Sequence, residues 1–175
     1  ALHQEKEVKM ESVFPAHLQS KVISALIQSH PYEEPAYDIY SLDNKNNQIG
    51  AGMLGYLKEE MEEGEFLSFL KQKMKTACIR HTSLRGKKVK KVALCGGSGS
   101  FLIGAAQSNQ ADVFITGDLK YHDFFLGNAQ LMIADIGHYE SEQFTKELIG
   151  DFLMENFPKF AVQISEHQTN PINYF

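Results

Sequence analysis

From Val89 onward, short apolar runs alternate with helical or turn-rich stretches, and this alternation limits the possible folds more than any other feature of the chain. Val89–Cys95, Asp112–Thr116, Leu131–Ile136 and Phe160–Ile164 read as strands. Between them the spacing predicts a short helix over Phe101–Ser108, another around Phe124–Ala129, and a long one running to about Phe157, where Pro158 stops it. Phe144, Leu148, Ile149, Phe152 and Leu153 make a single apolar stripe on that long helix. Upstream, Gly50–Leu57 is glycine-punctuated and extended, and Glu65–Thr76 is helical with Phe66, Leu70 and Met74 on one face. Strands that alternate with helices imply an α/β fold, a mostly parallel or mixed sheet with helices on both faces.

The first part of the chain has its own pattern. Lys6–Val13 reads as a strand, and Pro15 opens a helix whose apolar face carries Leu18, Val22, Ala25 and Leu26. His30-Pro31-Tyr32-Glu33-Glu34-Pro35 ends that helix in a rigid turn, and Ala36–Leu42 alternates like a strand. Together these form a βαβ half-unit. The polar stretch Asp43–Gln48 then marks a boundary, so residues 1–47 and 48–175 are expected to be separate domains.

Composition narrows the functional classes. The 175 residues are 43% hydrophobic with a net charge of -5, which argues against a nucleic-acid partner despite Lys87-Lys88 and Lys90-Lys91. No apolar run reaches the ~18 residues needed to span a bilayer, and no targeting segment is expected ahead of the first strand. Of the two cysteines, Cys95 closes an apolar run and reads as a buried free thiol, with a catalytic thiol as the alternative. Such cysteine usage points to a reducing, cytoplasmic compartment.

In a parallel sheet, ligands bind beyond the carboxyl ends of the strands. Here those ends carry Gly96-Gly97-Ser98-Gly99-Ser100, Thr116-Gly117-Asp118-Leu119-Lys120-Tyr121-His122, Gly137-His138-Tyr139-Glu140-Ser141-Glu142, and a fourth segment through Glu166 and His167. The glycine turn is either a backbone cradle for an anion or a tight strand-to-helix turn. It lacks the Lys-Ser/Thr of a P-loop and the third glycine of a dinucleotide fingerprint. Asp118 and His122 are either proton-transfer groups or a helix cap beside an exposed histidine. His138 and Glu142 lie four apart, on one helix face, and suit Zn, Mn or Fe(II). With 22 acids and 7 histidines, about two acid–His pairs at that spacing arise by chance, so the convergence of the loops carries the metal reading. Two ligands do not complete a site.

Four segments, "HPYEEPAYDIY", "KKVALCGGSGS", "ADVFITGDLKYHD" and "ADIGHYESE", together resemble the Nif-three-like family, the type-two GTP cyclohydrolase I homologues, from about Glu7 to the C-terminus. The resemblance implies paired α/β domains around a dinuclear divalent-metal centre (Zn, Mn or Fe) and assembly as a ring-like hexamer. In longer members it also implies an inserted PII/CutA-like domain. Residues 1–47 look like the second half of that insertion, a ferredoxin-like half-domain. The resemblance makes His138 and Glu142 metal ligands and places Asp118 and His122 beside the metals, with His122 the better candidate for proton transfer.

The family's remaining ligands include a His-His pair, which this sequence lacks. The chain is therefore expected to be a C-terminal portion, inactive by itself and with partial metal occupancy at most. Two functions follow from the resemblance: a metal-dependent hydrolase acting on a small molecule or nucleotide, or a non-catalytic metal-binding assembly protein whose PII-like insert senses a ligand.

Overall fold

The computed structural model describes residues 6, 8–44 and 49–174, and the chain divides into two compact units, Ala1–Asn46 and Asn47–Phe175. In the first unit a 3-10 turn, Ala16–Leu18, leads into helix α1, Gln19–Ser29. Pro15 sits just ahead of that turn in extended backbone, as its fixed φ favours. His30 Nδ1 accepts the Tyr32 amide at 3.1 Å, which makes the "HPYEEP" stretch a local turn. The strands expected over Lys6–Val13 and Ala36–Leu42 do not form among the described residues. Neither segment has a hydrogen-bonded partner strand, and an alternating pattern alone cannot supply a ladder.

The second unit is built on one five-stranded sheet. Its elements in chain order are β1 (Met53–Glu62), α2 (Glu63–Met74), β2 (Arg80–His81), β3 (Lys88–Ser98), α3 (Ile103–Ser108), β4 (Val113–Gly117), β5 (Met132–Asp135), α4 (His138–Glu142) and α5 (Thr145–Asn156). The strand order is β1-β3-β4-β5-β2. The inner three are parallel, while β1 pairs with β3 and β2 with β5 in antiparallel fashion, so the sheet is mixed. β4 is buried along its whole length, as a central strand covered on both faces must be.

Alternation of side chains sends the two faces to two cores. Val113, Ile115, Met132 and Ala134 pack with Phe66 and Leu70 of α2. Phe114 and Ile133 turn the other way, onto Ile103 and Ala106 of α3. β1 runs further than its apolar segment suggests, because Glu62 lies opposite Lys88 and Glu60 pairs with Lys88 at 2.7 Å.

Two expectations for the C-terminal part are corrected. Phe160–Ile164 is not a strand, since the two-residue β2 already occupies the outer edge of β5 and β1 forms the other edge. The single long helix is instead two, α4 and α5, separated at Gln143, whose side-chain amide donates to Met74 O at 2.7 Å. The apolar stripe of α5 stays largely outside the core. Leu148 is 71% exposed and Phe152 60%, while Gly150 is the buried position, facing Ile164. Among the described residues no helix is long and apolar enough to cross a membrane.

Candidate metal site at the strand ends

The site is assembled by loops at the carboxyl ends of β3, β4 and β5. β3 and β4 stay in register to Leu94 and Ile115, then β3 takes four residue steps to Ser98 while β4 takes two to Gly117. This swelling bends the Gly96–Gly97 backbone toward α4. Gly97 has φ +61, and a Cβ there would lie 2.6 Å from Glu142 Oε1 and 3.3 Å from His138 Cε1. At the end of β4, a Cβ on Gly117 would lie 2.8 Å from the backbone of Gly137 and His138. The two loops therefore approach backbone to backbone.

That approach sets Asp118 against His138. Asp118 has φ +56, a left-handed conformation that aspartate tolerates better than most residues, and its Oδ2 lies 2.5 Å from His138 Nδ1. On the other side, His138 Nε2 lies 3.3 Å from Glu142 Oε2. The imidazole is thus held between two carboxylates, all three about half exposed. The hydrogen bond to Asp118 holds the His138 pKa above its usual range, against the opposing effect of burial and with the charges of Asp118 and Glu142 adding to it.

The donor chemistry suits a divalent metal. With Nδ1–H donating to Asp118, a deprotonated Nε2 would be free to bind a metal shared with Glu142, the arrangement by which neighbouring carboxylates orient metal-binding histidines. The missing side chain at Gly97 leaves the space beside both donor groups unfilled. Among the described residues, no group of three or more His, Cys, Asp or Glu is placed to hold a metal ion, so His138 and Glu142 make an incomplete set.

The remaining candidate residues have separate places. His122 lies in the 3-10 turn Tyr121–Gly127, exposed and edge-on to Tyr121, with ring centroids 5.3 Å apart. No hydrogen bond joins its ring to His138 among the described residues. Two amides of the glycine turn are spent within the protein. Its Gly97 amide donates to Ser141 Oγ at 2.8 Å, and its Gly99 amide donates to Thr116 Oγ1 at 2.9 Å. Cys95 is buried, and burial, with the Glu142 charge, pushes its thiol pKa up, which suits a protonated core thiol.

Two carboxylates that the sequence reading passed over organise the loops. Asp135 is buried at the end of β5, where Oδ2 accepts the Leu119 amide at 2.9 Å and a bond from Arg80, and Oδ1 accepts the Gly137 amide at 2.9 Å. It ties the loop carrying Asp118 to the turn carrying His138. Glu140, between the two candidate ligands, is also buried. An acid ending the apolar run Leu131–Ile136 was the available signal for Asp135.

A mixed α/β sheet with an imidazole between two carboxylates at its strand ends defines an α/β protein with a candidate metal-binding edge. The chain belongs to the Duf34/NIF3 (NGG1p interacting factor 3) family, whose model matches residues 3–171. It is 42% identical to a Bacillus subtilis "GTP cyclohydrolase 1 type 2 homolog" over 96% of this chain and 46% of that protein. A Staphylococcus epidermidis protein of the same name is 33% identical over 96% of this chain and 47% of its own length. The chain thus spans about half the length of the curated relatives it matches.

Solved structures agree. The fold is similar to a Bacillus cereus protein related to NIF3, with TM-score 0.76 and 40% identity over 93% of this chain and 46% of that one. A Staphylococcus aureus structure gives TM-score 0.74 and 30% identity over 91% of this chain and 53% of that one.

Proposed function

We propose that this chain supplies part of a dinuclear, divalent-metal-dependent hydrolase centre, with His138 and Glu142 as ligands and the other ligands drawn from the part of its relatives' length that it does not span. The observation that carries this reading is the His138 imidazole, hydrogen-bonded through Nδ1 to Asp118 and facing Glu142 with Nε2. A histidine that merely capped a loop would need no second carboxylate on its other nitrogen.

Bound Zn, Mn or Fe ions would lower the pKa of a coordinated water and stabilise a developing oxyanion. The chain's own residues do the rest. Asp118 fixes the imidazole tautomer and ring plane, Gly97 keeps the donor side of the pair open, and Glu142 adds a hard oxygen donor suited to these metals. His122, on the turn that follows Asp118, gives or takes a proton at its exposed ring. The relatives' shared name makes a guanine nucleotide the first substrate class to try.

Metal content by inductively coupled plasma mass spectrometry tests the proposal, on this chain and on the same chain extended to its relatives' length. Two ions per extended chain, weak partial occupancy here, and hydrolysis only by the extended protein are the expected results. An extended protein that stays metal-free after growth with Zn, Mn and Fe contradicts the reading. One that takes up metal without turning over any substrate in a broad panel contradicts the hydrolase part and leaves a binding protein.

A further inference from the structure

The segment from Gln168 to Tyr174 lies against α4 and meets the polypeptide on either side of His138. The Tyr139 hydroxyl donates to Gln168 Oε1 at 2.6 Å. Asn170 Nδ2 donates to Glu140 Oε1 at 3.4 Å. Glu140 is only 5% exposed, and its Oε2 is fully enclosed without a hydrogen bond of good geometry. The carboxylate is folded back beneath Gly137, so close that any side chain at 137 would collide with it. The Tyr174 hydroxyl reaches the same place, 3.5 Å from where a Gly137 Cβ would stand. Burial raises the Tyr174 pKa, and the Glu140 charge adds to the effect.

A buried acid between two candidate ligands is costly unless its environment compensates it. Nothing in the metal reading uses Glu140, since it lies two residues from each ligand, off the i, i+4 face they share. Its hydrogen-bond partner, Asn170, comes from the C-terminal segment. Helix α4 has only five residues and cannot hold its own geometry through backbone hydrogen bonds alone.

We propose that the 168–174 segment is a clamp that holds α4 through Glu140, making Glu140, Asn170 and Tyr174 positioning residues for His138 and Glu142. The inference rests on the metal reading of those two residues. Its structural half, that the clamp orders α4, stands apart from it. Metal affinity of this chain then depends on side chains that touch neither ligand. Changes to residues that hold a ligand without touching the metal typically weaken metal binding by about 10–100-fold.

The test pairs two readouts on Tyr174→Ala, Asn170→Ala, Glu140→Ala and the conservative Glu140→Gln. Hydrogen exchange at the backbone amides of residues 139–143 reads the order of α4, and titration with Zn²⁺ alone reads the affinity. Expected are faster exchange confined to that stretch and about 10-fold weaker Zn²⁺ binding in the three alanine variants. Glu140→Gln, which keeps an oxygen to accept from Asn170, restores most of both. A thermal midpoint unchanged in the metal-free Asn170→Ala variant separates positioning from general destabilisation. Unchanged exchange in Tyr174→Ala overturns the clamp. Faster exchange with unchanged Zn²⁺ affinity overturns its positioning role. Absence of Zn²⁺ binding by the parent chain overturns the positioning role in this chain, while the exchange data still decide whether the clamp orders α4; the metal reading itself falls if the chain extended to its relatives' length also stays metal-free.

Discussion

Glu63→Gln is expected to destabilise the 47–175 unit by about 3–5 kcal/mol, the usual cost of removing one partner from a buried ion pair. Glu63 opens α2, and its carboxylate accepts the Arg85 amide at 2.6 Å, Arg85 Nε at 2.8 Å and the Gly86 amide at 3.0 Å. Both side chains are nearly sealed from solvent, at 3% and 7% exposure. Arg85 also donates to Gln130 O at 2.6 Å, so the pair ties the start of α2 to the turns before β3 and β5. Losing the carboxylate leaves a guanidinium buried without its counter-charge. Denaturant unfolding measures the effect, and a double change, Glu63→Gln with Arg85→Met, should recover much of it. A loss under about 1 kcal/mol, as for an exposed pair, would contradict this account.

The same pair makes a signed prediction for acid. Burial pushes the Glu63 carboxyl up, but its bonds to Arg85 and Gly86 outweigh that and hold it below the ordinary value of 4.5. A depressed folded-state pKa contributes stability that is fully present above the unfolded-state pKa and is lost as pH falls through the folded-state value. The parent chain should therefore lose stability more steeply on acidification below about 4.5 than Glu63→Gln does.

Asp135→Ala is expected to cost about 2–5 kcal/mol, because it leaves the Leu119 and Gly137 amides without an acceptor, each worth about 1–3 kcal/mol when buried. The consequence for the site is specific. Asp135 bonds to both the Asp118 loop and the His138 turn. In the alanine variant the Asp118–His138 hydrogen bond should loosen, read as a His138 titration midpoint falling back toward the ordinary imidazole value. The sign follows from the bond to Asp118, which now holds that pKa up. Unfolding by denaturant and imidazole titration by NMR check the two parts, and a stable variant with an unmoved His138 would contradict the linkage.

The legible parts of this fold are those where one physical cause suffices. Val113, Phe114 and Ile115 are all apolar because both faces of β4 are covered, and Phe66 and Leu70 recur at helical spacing because one face of α2 meets the sheet. β2 escaped notice because two residues cannot display a period, yet it forms the sheet edge beside β5, while Phe160–Ile164, expected as a strand, joins no sheet. The polar half of β1 was missed because charge pairing with Lys88 carries it, with no apolar alternation to see.

At the candidate site, the converging strand ends pointed in sequence to His138, Glu142 and Asp118, and the structure brings these three side chains together. What spacing could not show is that Asp118 bonds to His138, since that depends on the side-chain-free approach of Gly117 to Gly137. The glycine turn was ambiguous in sequence, because whether its amides are free is decided by Ser141 and Thr116, which lie far along the chain.

X-ray absorption at the zinc K-edge of the Zn²⁺-loaded chain tests the central claim most directly. One imidazole per ion with a Zn–N distance of about 2.0–2.1 Å, completed by oxygen donors and lost in His138→Ala, is the predicted result. A spectrum without imidazole scattering, or one that His138→Ala leaves unchanged, would place the metal elsewhere and contradict the assignment of His138 and Glu142.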